Sequence, residues 1–161
     1  MIALIQRVTE AQVSIDGSTT ARIGPGILAL LAAERGDSAR EACRLAERVV
    51  GYRIFPDAEG RMNNSLADSR GALLVVPQFT LAADTDKGAR PSFSSAAPAE
   101  EGERLFARFV EHCRARVACL QLGRFGADMK VSLVNDGPVT FWLRTAPSGK
   151  PSRSPDSAKT A

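Results

Sequence analysis

Apolar positions along this chain alternate between two kinds of spacing. Residues 2–8 and 11–15 are aliphatic and β-branched in short runs, and they read as strands ended by an Asp16-Gly17 turn. Gly24-Pro25-Gly26 breaks the chain before an uninterrupted apolar run over 27–33, which suits a strand covered on both faces. From Ser38 the spacing changes. Ser38 with Glu41 three residues on forms a capping box, and Ala42, Leu45, Ala46 and Val49 recur at helical intervals behind it. A helix is expected over about 38–52. Arg53-Ile54-Phe55-Pro56 reads as a short strand before a polar loop, and Gly71 to Val76 as a buried strand stopped by Pro77. Pro98 then opens a second helix. Glu100, Glu101 and Glu103 complement its positive end, while Leu105, Phe106, Phe109, Val110 and Cys113 make its apolar face to about residue 116. A short strand over 119–122 and a glycine-flanked loop over 123–128 lead into the last apolar runs, 129–134 and 141–143.

Between those two runs stands Asn135-Asp136-Gly137-Pro138-Val139-Thr140. Proline cannot donate to a strand ladder, and glycine lets another backbone or a ligand approach closely. The stretch is either a turn between two strands or a bulge that presents its backbone to something else. Past Arg144 the composition shifts to Pro, Ser, Lys, Arg and Thr, so residues 145–161 are expected to form a disordered basic tail.

Composition narrows the class. The chain has 161 residues, 44% of them hydrophobic and 24% charged, which fits one globular domain. A net charge of +3 and a pI near 9.0 leave room for a polyanion such as RNA. Cys43, Cys113 and Cys119 show no metal-binding spacing, and an odd count argues for a reducing, cytoplasmic home. No stretch is long and apolar enough to span a bilayer.

Candidate chemistry is sparse. There is no nucleophile elbow, no HExxH, no P-loop, and the single histidine, His112, lies on a polar helix boundary where solvation is its simplest role. Cys43 reads as boundary packing. Gln78 and Thr80 offer an amide and a hydroxyl at a strand end. Phe93, close to Arg90, pairs an aromatic with a cation as phosphate and base contacts do. Arg7 is a charge in an otherwise apolar strand. An enzyme with this inventory would position an already activated substrate instead of using a strong side-chain base.

Ile5-Gln6-Arg7-Val8, Arg53-Ile54-Phe55, Met62-Asn63, Gln78-Phe79-Thr80-Leu81, Gly88-Ala89-Arg90-Pro91-Ser92-Phe93, Phe125-Gly126-Ala127-Asp128-Met129 and Asn135-Asp136-Gly137-Pro138-Val139-Thr140 occur in one order over residues 1–144. Together they resemble the bacterial D-aminoacyl-tRNA deacylases. The resemblance implies a single α/β domain over 1–144, a compact β-barrel-like mixed sheet flanked by two helices, and a homodimer with its active site at the subunit interface. It implies hydrolysis of D-aminoacyl-tRNA, and of glycine mischarged on alanine tRNA, to free amino acid and tRNA. No metal or cofactor is expected. Gln78, Phe79 and Thr80 would be the catalytic residues, lining the aminoacyl ester and the terminal adenosine, and Phe125, Met129 and Phe93 would bind substrate on the adenosine side. A cis Gly137-Pro138 would enter the partner's pocket to exclude L-aminoacyl groups, with Arg7 holding it in place. The substrate's own 2′-hydroxyl would assist water.

One departure stands out. Pro77 occupies a position where family members commonly carry serine, which removes a serine nucleophile there. It also resembles the start of the related animal-type motif, whose enzymes accept small L-amino acids. Phe79 and Arg7 keep the D-selective pattern. A non-catalytic tRNA-binding module on the same fold is the other alternative.

Overall fold

The computed structural model describes residues 1–86 and 88–145; the expected tail beyond Thr145 lies outside the described residues. A six-stranded mixed sheet curls into a barrel-like wall. Its strands are β1 (Ile2–Ile15), β2 (Ser18–Ile23), β3 (Gly26–Ala32), β6 (Ala72–Pro77), β7 (Leu120–Leu122) and β8 (Lys130–Arg144). Two further short strands, β4 (Phe55–Pro56) and β5 (Met62–Asn64), pair with each other. β1 is one strand where the sequence reads as two. It pairs antiparallel with β2 and β3 on one side and with β8 on the other. β3, β6 and β7 run parallel, so each successive pair needs a long crossover. Helix α1 (Ala39–Gly51), the β4–β5 pair and the short α2 (Leu66–Ser69) fill the first crossover. Helix α3 (Ala99–Arg114) lies in the second.

The expected capping box is present at α1. Arg40 N–H donates to Ser38 Oγ, and Ser38 N–H donates to Glu41 Oε2 at 3.0 Å. A second box caps α2. It escapes a search for Glu or Gln at the third position because Asp68 does that work for Ser65.

The sheet separates two apolar cores. Ala3 and Ile5, Ile27, Ala29 and Leu31, and Leu73 and Val75 point at the helices, where they meet Leu45 and Val49 of α1 and Leu105 and Phe109 of α3. Their neighbours Leu28, Leu74 and Val76 point the other way into the curl of the sheet. This is why 27–33 and 71–76 read as unbroken apolar runs: both faces are buried. On β1 the alternation slips. Val8 shares the inner core with Ala11, Val13 and Ile15, because the register against β8 shifts between Val8 and Glu10. A bulge of this kind inverts which parity of residue faces each core.

Thr145, which composition puts at the head of the tail, is instead buried and tied in. Its N–H donates to the Met1 carbonyl at 2.9 Å, and its own carbonyl accepts from the Met1 ammonium at 2.7 Å. The same ammonium lies 2.6 Å from Asp37 Oδ2. Glu34 next to it is gripped by Arg144 through two bonds of 2.5 and 2.9 Å. Burial raises the Asp37 carboxyl above its ordinary value, against the downward pull of the ammonium.

Candidate active site

The carboxyl ends of the three parallel strands open into a cleft of about 620 Å³, the usual place for a ligand in an α/β sheet. β3 contributes Leu31 and Ala32, β6 contributes Val76 and Pro77, and the chain after β7 contributes Phe125 to Met129. The first turns of α3 close the side. Of the residues nominated from sequence, Gln78, Phe79, Phe93, Phe125 and Met129 all line this cleft. Thr80 is one residue removed from the lining.

Local backbone chemistry places them. Gln78 N–H is the last donor of the ladder, to Leu31 O at 2.8 Å. The chain then tightens into a 3-10 turn over Phe79–Ala82, in which Leu81 and Ala83 donate back to Gln78 O and Thr80 O. The first N–H groups of such a turn, on Phe79 and Thr80, have no acceptor within it. Gln78 Nε2 donates to Thr80 Oγ1 at 2.5 Å, so the two polar side chains of the motif hold each other. Phe79 and Phe93 are 58% and 41% exposed, and their rings meet at 5.1 Å with a 56° tilt. Two large aromatics left open at a cleft mouth are surfaces for a planar group. Phe125 is backed by Phe106 of α3 at 6.2 Å.

Other candidates fall elsewhere. His112 Nε2 sits 3.1 Å from Glu47 Oε1 between the two helices and does not line the cleft. Burial pushes the Cys113 thiol up to about 12, against the pull of Arg116, which makes it inert. All three cysteines are free.

Two polar residues of the cleft carry no weight in a motif search. Asp128 was visible only as part of the 125–129 motif, yet it is the single carboxylate of the lining. Arg35 gave no signal at all, being an exposed charge in a loop just before a helix.

Gly137 and Pro138 do not line the cleft of their own subunit. They top a bulge in β8, not a turn between two strands. The same partner strand continues on either side, with Gln6 opposite Thr140 and Val8 opposite Asn135, so residues 136–139 loop out opposite Arg7 alone. The Gly137–Pro138 peptide is cis, and both residues are exposed. Asn135 braces the bulge from inside, its Oδ1 accepting from Val139 N–H at 3.0 Å and its Nδ2 donating to Thr140 Oγ1 at 2.8 Å. Gly137 has φ of +125°, and a Cβ there would meet Val139 Cγ2 at 2.6 Å and Arg7 Nη2 at 3.3 Å.

Arg7 follows Ala3 and Ile5 on the helix-side parity of β1, which aims it at the segment after α1. Its Nη1 donates to Ile54 O at 2.7 Å. Its Nε lies 2.9 Å from Asp136 Oδ2, but the N–H is not directed at that oxygen. The contact is therefore one of charge without a hydrogen bond, and Nε is a buried donor left without an acceptor.

The D-Tyr-tRNA(Tyr) deacylase family model matches residues 4–144. The chain belongs to the D-aminoacyl-tRNA deacylase family. A D-aminoacyl-tRNA deacylase of Methylococcus capsulatus is 60% identical over 151 residues, 94% of this chain and 99% of that protein. One from Escherichia coli is 58% identical over 144 residues, 89% of this chain and 99% of the relative. Among solved structures, a c-Myc DNA unwinding element binding protein superposes with a TM-score of 0.87 at 35% identity, over 91% of this chain and all of the other. A probable eukaryotic D-amino acid tRNA deacylase, at 16% identity and a TM-score of 0.75 over 89% of this chain and 98% of its own, shares the fold. The barrel-like α/β architecture expected for a deacylase is thus the one observed. No described helix is long and apolar enough to cross a membrane.

Proposed function

We propose that this deacylase hydrolyses the ester of D-aminoacyl-tRNA to free amino acid and tRNA, as cytoplasmic proofreading of translation. The observation that carries the reading is the convergence of Gln78, Phe79, Phe93, Phe125 and Met129, from three separate segments, in one cleft of a family member. The aminoacyl ester lies against Gln78 and Phe79, with the adenine on the Phe125–Met129 side. Water adds to the ester carbonyl, backbone N–H groups at Phe79 and Thr80 receive the developing oxyanion, and the C–O bond to the ribose breaks as its oxygen takes a proton. The neighbouring 2′-hydroxyl of the substrate assists the water, so the protein supplies geometry and donors.

Selection by chirality falls to Gly137-Pro138. These exposed residues reach a cleft only if it belongs to a second copy, and the active species is accordingly a homodimer. The outer side of β8 fits that role. Among the described residues it pairs with β1 alone, and Val134 and Trp142 on it are 50% and 54% exposed. Backbone carbonyls of the inserted bulge clash with an L side chain and leave D-aminoacyl and glycyl groups room, so glycine on alanine tRNA is also cleared. Pro77 supports a second reading, in which small L-amino acids are accepted as well.

Incubation with D-tyrosyl-, L-tyrosyl- and L-alanyl-tRNA, followed by release of free amino acid, tests this. Turnover of the D-ester alone is expected. Binding without turnover would make the protein an accessory module, and release of L-alanine would establish the second reading. Sizing during turnover should show a dimer; an active monomer would refute the shared site.

A further inference from the structure

The cleft holds one guanidinium, that of Arg35, which is the single Arg or Lys among its described lining residues. Its backbone is fixed from the facing loop: Arg35 N–H donates to Ser95 O at 2.9 Å, and Ala97 N–H donates to Ala33 O at 3.0 Å. Arg35 Nε donates to Ser94 O at 2.7 Å. That uses one of five donors. Both Nη groups are without a partner among the described residues, on an exposed side chain beside Phe93, Ser94 and Ser95. The Nε bond holds the guanidinium at the cleft lining and leaves its Nη groups available to an anion there.

We infer that Arg35 is a phosphate-binding residue that positions the 3′ end of the RNA strand as its terminal aminoacyl-adenosine enters the cleft. The chemistry is specific. The aromatic and aliphatic lining suits a base and an amino-acid side chain, but a nucleotide strand also brings a phosphodiester on the 5′ side of that adenosine. A guanidinium fork matches phosphate oxygens two at a time, and one already held at Nε loses little freedom on doing so. Among the described residues the cleft offers no other side-chain cation for this charge. The inference rests on the reading that the adenosine end occupies this cleft.

The test compares Arg35→Gln and Arg35→Lys with the parent enzyme on D-tyrosyl-tRNA at several salt concentrations. It adds inhibition by a phosphate-free analogue, D-tyrosyl-3′-amino-adenosine. Arg35→Gln should raise KM several-fold at low salt and reduce the slope of log(1/KM) against log[salt] by roughly 0.7, the contribution of one single-strand phosphate contact. Arg35→Lys should restore the salt slope but only part of the affinity, since an ammonium keeps the charge and loses the fork, and inhibition by the analogue should be the same in all three proteins. An unchanged KM and slope, or equal weakening of the analogue by Arg35→Gln, overturns the inference. Failure of the analogue to inhibit even the parent enzyme would instead remove the adenosine end from this cleft, and the inference with it.

Discussion

The side-chain amide of Gln78 donates to the hydroxyl of Thr80 across 2.5 Å. The bond ties up Thr80 as an acceptor, and no histidine stands near it to take a proton, so Thr80 is poorly placed to attack an ester. Thr80→Ala should lower kcat by less than about tenfold, below the usual range for loss of a general acid or base. A D-aminoacyl-tRNA ending in 2′-deoxyadenosine should be hydrolysed hardly at all. Mass spectrometry of enzyme quenched during turnover is the decisive readout: an aminoacyl group found on Thr80 would replace substrate assistance with covalent catalysis.

Asp128 is the one carboxylate among the described residues that line the cleft, and it is solvent-exposed. If the 2′-hydroxyl does the assisting, Asp128→Asn should keep kcat within about tenfold of the parent. A fall of ~100-fold or more, with a lost acid limb in the rate profile, would make this residue the base.

Arg7 and Gly137 act on the same bulge. Arg7→Lys cannot span both Ile54 O and Asp136 with one ammonium, and Gly137→Ala drives a methyl into Val139. Both variants should lower the ratio of D- to L-tyrosyl-tRNA hydrolysis while the protein still melts in one cooperative transition. Undiminished discrimination in both would mean the bulge is not the selector.

Gly26 makes a different kind of demand. A Cβ at this position would lie 1.9 Å from the Ala72 carbonyl oxygen, where β3 and β6 begin to pair. The three nearest atoms all belong to the Ala72 backbone, so nothing can swing aside. Gly26→Ala should destabilise the fold by about 3 kcal/mol, the upper end for overpacking, which lowers the melting temperature by about 10 °C in a chain of this size. Scanning calorimetry showing a change of only a degree or two would contradict the geometry.

Glu41 sets the acid response. Burial pushes its carboxyl up, but bonds from Ser38 and Arg40 more than reverse this and leave it below its ordinary value of 4.5. Its stabilising contribution is therefore complete above about pH 4.5 and is lost as pH falls through the lower folded value. Asp37 works in the opposite sense, since its raised carboxyl favours the folded state on the acid side. Thermal melts should show Glu41→Gln less stable than the parent at pH 7, with the gap closing below pH 4.5. A constant gap across that range would exclude the carboxylate as its source.

Sequence was most informative where one local rule sufficed. Ser38 and Glu41 located α1, and the run from Ile27 onward located a strand buried on both faces, because each signal is complete within a few residues. The bulge of β8 was legible as an interruption but not as a bulge. Whether residues 136–139 turn the chain or merely loop out depends on what Gln6 and Val8 pair with, some 130 residues away. Arg35 was invisible for the same kind of reason. Its place in the cleft follows from the bonds that its side chain and backbone donate to the carbonyls of Ser94 and Ser95, which no periodicity records.

The bulge over 136–139 also bears on how such a protein can change. On either side of it, 130–135 and 140–144 keep their own registers with β1, so Leu143 stays buried whatever the loop between them does. One residue inserted into 130–134 would swap the inner and outer faces of that segment. The same insertion at the tip need alter only the protrusion. Mutational drift in the bulge is thereby uncoupled from the scaffold, and its protruding backbone can be reshaped without refolding the sheet.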